Sequence, residues 1–277
     1  MIKRLIYYFF EKIKIFNRPL FSLYFYRKIS YLINEKLWIK YSGSKKLTLS
    51  KSNSLGEKFI ANGFCKIPKT NADSVERFLD YLNKNFDLTI GDSEKSQIEI
   101  INYEKIKNKF LFDFLKTPEI YKLLKSYIGY DPMLFGASVI GSNPTKSHSG
   151  SQLFHFDNIE EKSIRLILLL SDVNQKNGPT TIISKDKSAT IAQAVNYFKR
   201  KDYVSITDEE FNIQHEEKIY LTGKKGDIFL LDTYGCLHSG GRTEEGQRLV
   251  FMATIGRGLF TNLRWMYNGE YDYGIKI

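Results

Sequence analysis

The sequence predicts a mainly β protein with flanking helices, an α+β chain whose strands form an antiparallel sandwich or barrel with helices packed outside. Three observations predict it. Apolar residues at helical spacing dominate the chain between about residue 55 and Gly129. Beyond Gly129 run short Ile/Leu/Phe-rich segments separated by Gly, Asn, Asp and Ser. The composition, 42% hydrophobic and 14% aromatic over 277 residues, is that of a chain able to bury a substantial core.

The chain divides into residues 1–51, a basic, aromatic-rich helical segment, and residues 52–277, the main domain. Residues 1–51 hold 12 Lys/Arg and two acids, so they carry the whole +10 excess; the remainder balances. This excludes a uniformly basic nucleic-acid binder, whose positive face would belong to the folded domain. Twelve of the 40 aromatics fall within residues 1–41, interleaved with the basic residues. The longest apolar run at the start, Leu5–Phe10, is far short of the roughly 20 residues a membrane span needs. No small-residue cleavage site of a signal peptide follows it. Two readings stand. Residues 1–41 make peripheral contact with an anionic membrane, where aromatic rings and Lys/Arg both favour the interface; or they pack their aromatics on the main domain. The expected location is cytoplasmic, at the inner face of the membrane in the first reading. Two cysteines, Cys65 and Cys236, exclude a disulfide scaffold.

Residues 42–54, rich in Ser and Lys, read as a linker. Residues 55–66 predict a short helix, a turn at Asn62-Gly63, then a strand. Asn71–Phe86 predicts a helix through Val75, Phe78, Leu79 and Leu82, and Phe110–Ile128 another, broken by Pro118. Strands are predicted over Met133–Ile140, Gln152–Phe156, Ile164–Leu170, Thr180–Ile183, Glu217–Leu221, Asp227–Leu231 and Leu249–Ile255. Residues 185–215 are the least regular and read as an inserted helix and loop that could form a lid. Trp265, Tyr267, Tyr271 and Tyr273 form an aromatic tail expected to pack on the body or a partner chain.

The chemistry concentrates in few residues. His155 and Asp157 stand two apart, and on a strand residues i and i+2 share a face. An imidazole and a carboxylate thus converge, and His238, just past an apolar strand, is the candidate third ligand. Two histidines and one carboxylate make the facial triad of non-haem Fe(II) oxygenases, which leaves coordination positions open. Arg248 heads the strand Leu249–Ile255 and shares parity with Val250 and Met252. A guanidinium inside a barrel needs an anion, and its fork suits a carboxylate. 2-Oxoglutarate offers one at the end remote from its metal-chelating keto acid.

The sequence resembles the phytanoyl-CoA dioxygenase-like Fe(II)/2-oxoglutarate oxygenases over roughly residues 55–257. Beyond His-x-Asp, the stretch IRLILLLSDVNQKNGP (164–179) is similar to that family's apolar strand, S/T-D-V and N-G-P turn. GDIFLLDTYGCLH (226–238) is similar to its G-D strand leading to the distal histidine. Ser184-Lys-Asp-Lys and Ser239-Gly-Gly-Arg242 depart from its usual P-G-S-H and G-S-G-P-N. The resemblance implies a double-stranded β-helix (jelly-roll, cupin-like) core with an N-terminal helical layer. It implies His155, Asp157 and His238 as iron ligands, Arg248 as the 2-oxoglutarate anchor, and Ser239 and Thr180 as further co-substrate contacts. The implied cofactors are Fe(II), 2-oxoglutarate and O2, and the implied activity is a dioxygenase that hydroxylates a C–H bond. Related halogenases lack the carboxylate that Asp157 provides.

Other readings are plainer. Arg242, in a Gly-rich loop, reads as a solvated charge; His148 and His215 read as surface residues. Cys236 reads as a small buried hydrophobe. Arg165 reads as a strand-end salt bridge, with substrate contact as the other reading. The basic head points to a lipid or lipid-linked glycan precursor as substrate. A small diffusible polar metabolite is the second reading, and a non-catalytic membrane-surface protein on the same fold the third.

Overall fold

The computed structural model describes residues 54–68, 72–91, 96–157, 162–197, 207–256 and 275–277. The basic head, the linker up to residue 53 and the aromatic tail lie outside the described residues. Helix α1 (Ser54–Asn62) ends at Gly63, whose φ of +79° suits glycine and whose missing Cβ avoids the Cys236 sulfur. Strand β1 (Phe64–Ile67) follows directly, as the Asn-Gly signal predicts. Helix α2 (Ala72–Asn85) turns Phe78 and Leu82 into the core. The apolar pattern over Phe110–Ile128 is divided between α4 (Lys109–Leu115) and α5 (Pro118–Ile128). Pro118 sits in the first turn of α5, where its missing N–H leaves no bond unmade. Asn108 caps α4 by accepting from the N–H groups of Phe110 and Leu111. Between α2 and α4 lie β2 (Gln97–Ile101) and the one-turn α3 (Tyr103–Ile106).

The remaining elements are β3 (Met133–Ser142), β4 (Ile164–Leu169), β5 (Thr180–Ile182), α6 (Lys185–Ala194), α7 (Asp208–Phe211), β6 (Ile219–Leu221), β7 (Ile228–Leu231), β8 (His238–Ser239), β9 (Arg248–Gly256) and β10 (Ile275–Lys276). They form two antiparallel sheets. The larger runs β1-β7-β4-β9-β3-β10, with β2 also paired to β3; the smaller runs β6-β5-β8. Two expectations need correction. Gln152–Phe156 is not a strand: Gly150–Gln152 is a turn of 3-10 helix, after which His155 pairs with His238 in a single bridge. The Gln152 side chain drives this, accepting from Ser96 Oγ and donating to the Gly241 carbonyl, so it anchors a turn rather than a ladder. The strand expected from Glu217 begins at Ile219, because His215–Glu217 is also a 3-10 turn.

Alternation sorts the large sheet's side chains. Ala137, Val139, Leu166, Leu168, Ile228, Leu230, Phe251 and Ala253 face the helices and join Phe59, Phe78, Leu111, Phe114 and Leu124 in the main core. Phe229, Leu231, Ile167, Leu169 and Val250 face the small sheet, meeting its Ile182 and Leu221. A third cluster, Phe154, Phe156, Ile183, Ile191, Phe211 and Leu237, packs α6 and α7 on the far side of the small sheet. The two sheets therefore enclose an interior lined by alternate residues, and the helices cover the outside. The inner rows are read from the register: Ser142 opposite Arg248; Ile140–Val250–Leu169; Ser138–Met252–Ile167–Phe229; Gly136–Thr254–Arg165–Leu231–Phe64. Ser138, Ile140, Met252, Phe64 and Arg165 on this inner face are only half-buried, whereas their helix-facing neighbours are dry. The concave side is the open one.

Candidate metal centre

Among the described residues, His155, Asp157 and His238 are the group of three metal-capable side chains whose ligand atoms lie within 4.8 Å of one another. The backbone makes this possible. His155 and His238 exchange N–H···O bonds of 3.0 and 3.1 Å, a hydrogen-bonded antiparallel pair that sets the rings side by side at 4.3 Å. The Asp157 N–H donates to the Thr233 carbonyl at 2.8 Å, tying the carboxylate's segment to the turn after β7.

Each imidazole is oriented by its own chain. His155 Nδ1 lies 2.8 Å from the Leu153 carbonyl, and His238 Nδ1 lies 3.1 Å from that of Cys236. A carbonyl only accepts, so both Nδ1 atoms carry the proton and both Nε2 lone pairs are free for a metal. Asp157 Oδ1 stands 3.6 Å from His155 Nε2 and 3.7 Å from His238 Nε2. Ligands held about 2.1 Å from one octahedral ion, at right angles, stand roughly 3 Å apart, so a modest closure completes the set. The second carboxylate oxygen, Oδ2, accepts from Arg165 Nη2 at 2.7 Å.

Electrostatics favour ligation. Burial, reinforced by the neighbouring His155, pushes His238 down to about 4, so it is neutral at pH 7. For Asp157 burial opposes ionisation, but the charge of Arg165 and its hydrogen bond hold the carboxyl well below the usual carboxylate range. His238 is thus presented as a neutral imidazole and Asp157 as a carboxylate at neutral pH.

On the inner face of the large sheet, three rows from Arg165, Arg248 is 2% exposed and is the largest fully buried side chain among the described residues. Its Nη1 donates to Thr180 Oγ1 at 3.1 Å and its Nη2 to Ser142 Oγ at 3.4 Å, while its Nε has no partner. No carboxylate of the described residues reaches it. Burial alone pushes it down to about 10. A Cβ added at Gly241, where φ is +49°, would lie 3.0 Å from Arg248 Nη2 and 2.8 Å from Ser142 Oγ. The bare glycine thus keeps a cradle open beside the guanidinium. An unpaired buried donor and an open cradle fit a small carboxylate.

The structure brings Thr180 to Arg248 but not Ser239. Ser239 alternates to the face opposite His238, and its buried Oγ has no hydrogen-bond partner. The second hydroxyl at the guanidinium is Ser142, the cross-strand partner of Arg248; its position at the end of β3 was the available signal. Arg242 is not a solvated charge. It grips both Asp208 oxygens at 2.8 Å and lies over the Phe154 ring, which ties α7 to the loop after β8. Arg165, the second residue of β4, forms the strand-end salt bridge expected of it, and its partner is the candidate ligand Asp157. His148 and His215 are exposed, and Cys236 is buried among apolar neighbours, its thiol pushed up by burial. Among the described residues no helix is long and apolar enough to cross a membrane.

No family model and no curated protein matches the chain. Solved structures do. The epimerase SnoN in complex with Fe3+, alpha ketoglutarate and nogalamycin RO is 15% identical, with 80% of this chain and 94% of that chain covered at a TM-score of 0.51. EctD from S. alaskensis with bound Fe is 14% identical over 76% and 80% of the two chains, TM-score 0.52. HygX from Streptomyces hygroscopicus with nickel and 2-oxoglutarate is 12% identical over 75% and 87%, TM-score 0.50. With the two facing sheets and the helical outer layer, these likenesses show that the chain folds as a double-stranded β-helix.

Proposed function

We propose that the protein is an Fe(II)- and 2-oxoglutarate-dependent dioxygenase of the phytanoyl-CoA dioxygenase-like type, hydroxylating a C–H bond of its substrate. The observation that carries this reading is the buried Arg248, a cation with no acid beside it among the described residues, on the same inner face as Arg165, which holds the carboxylate of a two-histidine, one-carboxylate set. His155 and His238 would hold the metal through Nε2 and Asp157 through Oδ1. Arg248, with the Thr180 hydroxyl beside it, would take the distal carboxylate of 2-oxoglutarate. The rows between, Ile140–Val250–Leu169 and Ser138–Met252–Ile167–Phe229, are apolar but for Ser138 and line the span joining the two ends. When bound, iron and 2-oxoglutarate supply the oxidising chemistry: decarboxylation of the co-substrate to succinate and CO2, coupled to activation of O2. The carboxylate of Asp157 supports hydroxylation over halogenation. Structures of similar fold that hold iron or nickel with 2-oxoglutarate lend the reading further support. The charge excess in residues 1–51 supports a substrate presented at an anionic membrane, of the lipid or lipid-linked glycan class.

The test is an anaerobic titration of the Fe(II)-loaded protein with 2-oxoglutarate. A visible charge-transfer band should grow in and be lost in His155→Ala, and admission of air should yield succinate. If no band forms and His155→Ala behaves as wild type, the reading is wrong.

A further inference from the structure

We propose that Arg165 is a positioning residue for the metal centre: it occupies Asp157 Oδ2 so that the carboxylate offers a metal one oxygen, Oδ1. The inference rests on the metal-binding reading above. Strand parity puts Arg165 on the inner face with Ile167 and Leu169, in the row of Thr254 and Leu231. From there its Nη2 donates to Asp157 Oδ2 at 2.7 Å, the hydrogen bond it makes among the described residues. The other oxygen, Oδ1, is the one that approaches both imidazole Nε2 atoms, at 3.6 and 3.7 Å. The two oxygens are thus assigned different jobs before any metal arrives. Asp157 follows no regular strand, and its N–H donates to the Thr233 carbonyl. Arg165 holds the carboxylate itself, through Oδ2.

The functional consequence concerns vacancy. An octahedral ion with two imidazoles and a one-oxygen carboxylate keeps three positions open; a carboxylate binding through both oxygens would keep two. A chelating co-substrate and O2 together require three. By holding Oδ2, Arg165 preserves the third.

The sign of its effect on metal affinity separates this role from that of a bystander. A guanidinium that is merely a nearby positive charge repels a divalent cation, so removing it would tighten metal binding. A guanidinium that positions the ligand makes binding weaker when removed, by about 10–100-fold for a partner of this kind. The experiment is an anaerobic Co(II) titration of the metal-free full-length protein, read by the visible Co(II) spectrum, on wild type, Arg165→Met, Arg165→Lys and His155→Ala. Arg165→Met should bind Co(II) about 10–100-fold more weakly. Arg165→Lys, which keeps the charge and one donor, should recover part of the loss. Arg165→Gln, a neutral donor on a shorter stem, takes the place of Arg165→Met if the latter does not fold, with weakened binding again expected. Unchanged or tightened Co(II) binding with an unaltered spectrum in these variants overturns the proposal. Wild type that binds no Co(II), or binds it equally well as His155→Ala, overturns the metal reading itself.

Discussion

Replacing Arg248 by methionine should make the protein more stable and at the same time unable to take up 2-oxoglutarate. A guanidinium ordinarily titrates near 12.5, and burial pushes Arg248 down to about 10. At 1.36 kcal/mol per tenfold change in proton affinity, its burial costs the folded state about 3 kcal/mol at neutral pH. The bonds to Thr180 and Ser142, at 3.1 and 3.4 Å, return at most about 1 kcal/mol each. A methionine side chain fills much of the same space without charge, so the net gain should be about 1–2 kcal/mol. In a chain of this size that raises the melting temperature by roughly 2–6 °C. The co-substrate supplies the missing anion only to wild type. Breaking a buried ion pair by removing one partner costs about 3–5 kcal/mol, so affinity should fall at least on the order of 100-fold. Thermal melts of both proteins, with Mn(II) and with or without 2-oxoglutarate, measure both effects. Wild type should melt lower than Arg248→Met without 2-oxoglutarate and rise when it is added, while Arg248→Met should not respond. If Arg248→Met is the less stable protein and still shifts with 2-oxoglutarate, the anion-site reasoning fails.

Three further outcomes follow from the same geometry. Ser142→Ala should weaken 2-oxoglutarate several-fold by removing a hydroxyl from the guanidinium, about 1 kcal/mol; Ser239→Ala, by contrast, should stay within twofold in the same binding assay, and the reverse order would restore Ser239 to the pocket. Gly241→Ala places a Cβ 3.0 Å from Arg248 Nη2 at a φ of +49°. Its KM for 2-oxoglutarate should rise about tenfold or more with kcat less affected, at a stability cost of about 1 kcal/mol; an unchanged KM would mean the cradle is not where the co-substrate lies. The metal-free protein should lose stability on acidification: His238, depressed to about 4 when folded, stays neutral while the unfolded chain protonates from about 6.5 downward. That removes about 3 kcal/mol as pH falls from about 6.5 to 4, with Asp157 adding to the loss below the usual carboxylate range. His238→Gln should flatten the part between pH 6.5 and 4, and an unaltered slope there would show that His238 is not the group responsible.

Much of the fold was legible because apolar patterns are local. Met133–Ser142 and Arg248–Gly256 bury alternate residues on both faces of one sheet, so each reads as a near-continuous apolar run and was placed within two residues of its ends. Gln97–Ile101 escaped because QIEII, between charged neighbours, is a strand only by virtue of the β3 edge beside it. Gln152–Phe156 misled for the opposite reason. Its Leu153, Phe154 and Phe156 read as an apolar strand, but the Gln152 amide is spent on Ser96 and Gly241, which no local window reveals. At the site, the spacing of His155 and Asp157 and the parity of Arg248 pointed to the chemistry. The roles of Ser142 and Arg165 did not show, since neither pairing is carried by a local pattern: Ser142 meets Arg248 across the sheet, and Arg165 meets a carboxylate that turns back onto the strand following it.

The sequence by itself determined which side chains are available for chemistry and where the charge lies. Four histidines limit any metal set, an interior-facing arginine demands an anion, and the +10 excess belongs to residues 1–51 rather than to the body. The tertiary structure alone decided which groups share a neighbourhood. Serine at 142 rather than 239 meets the guanidinium because strand alternation inverts a side chain with every residue. Arg242 closes on Asp208, and Arg165 divides the two oxygens of Asp157 between itself and the imidazoles. Residue type and periodicity act along the chain, but hydrogen bonds and ligand geometry act across space over a few ångströms, and that distance is set only when the two sheets face each other.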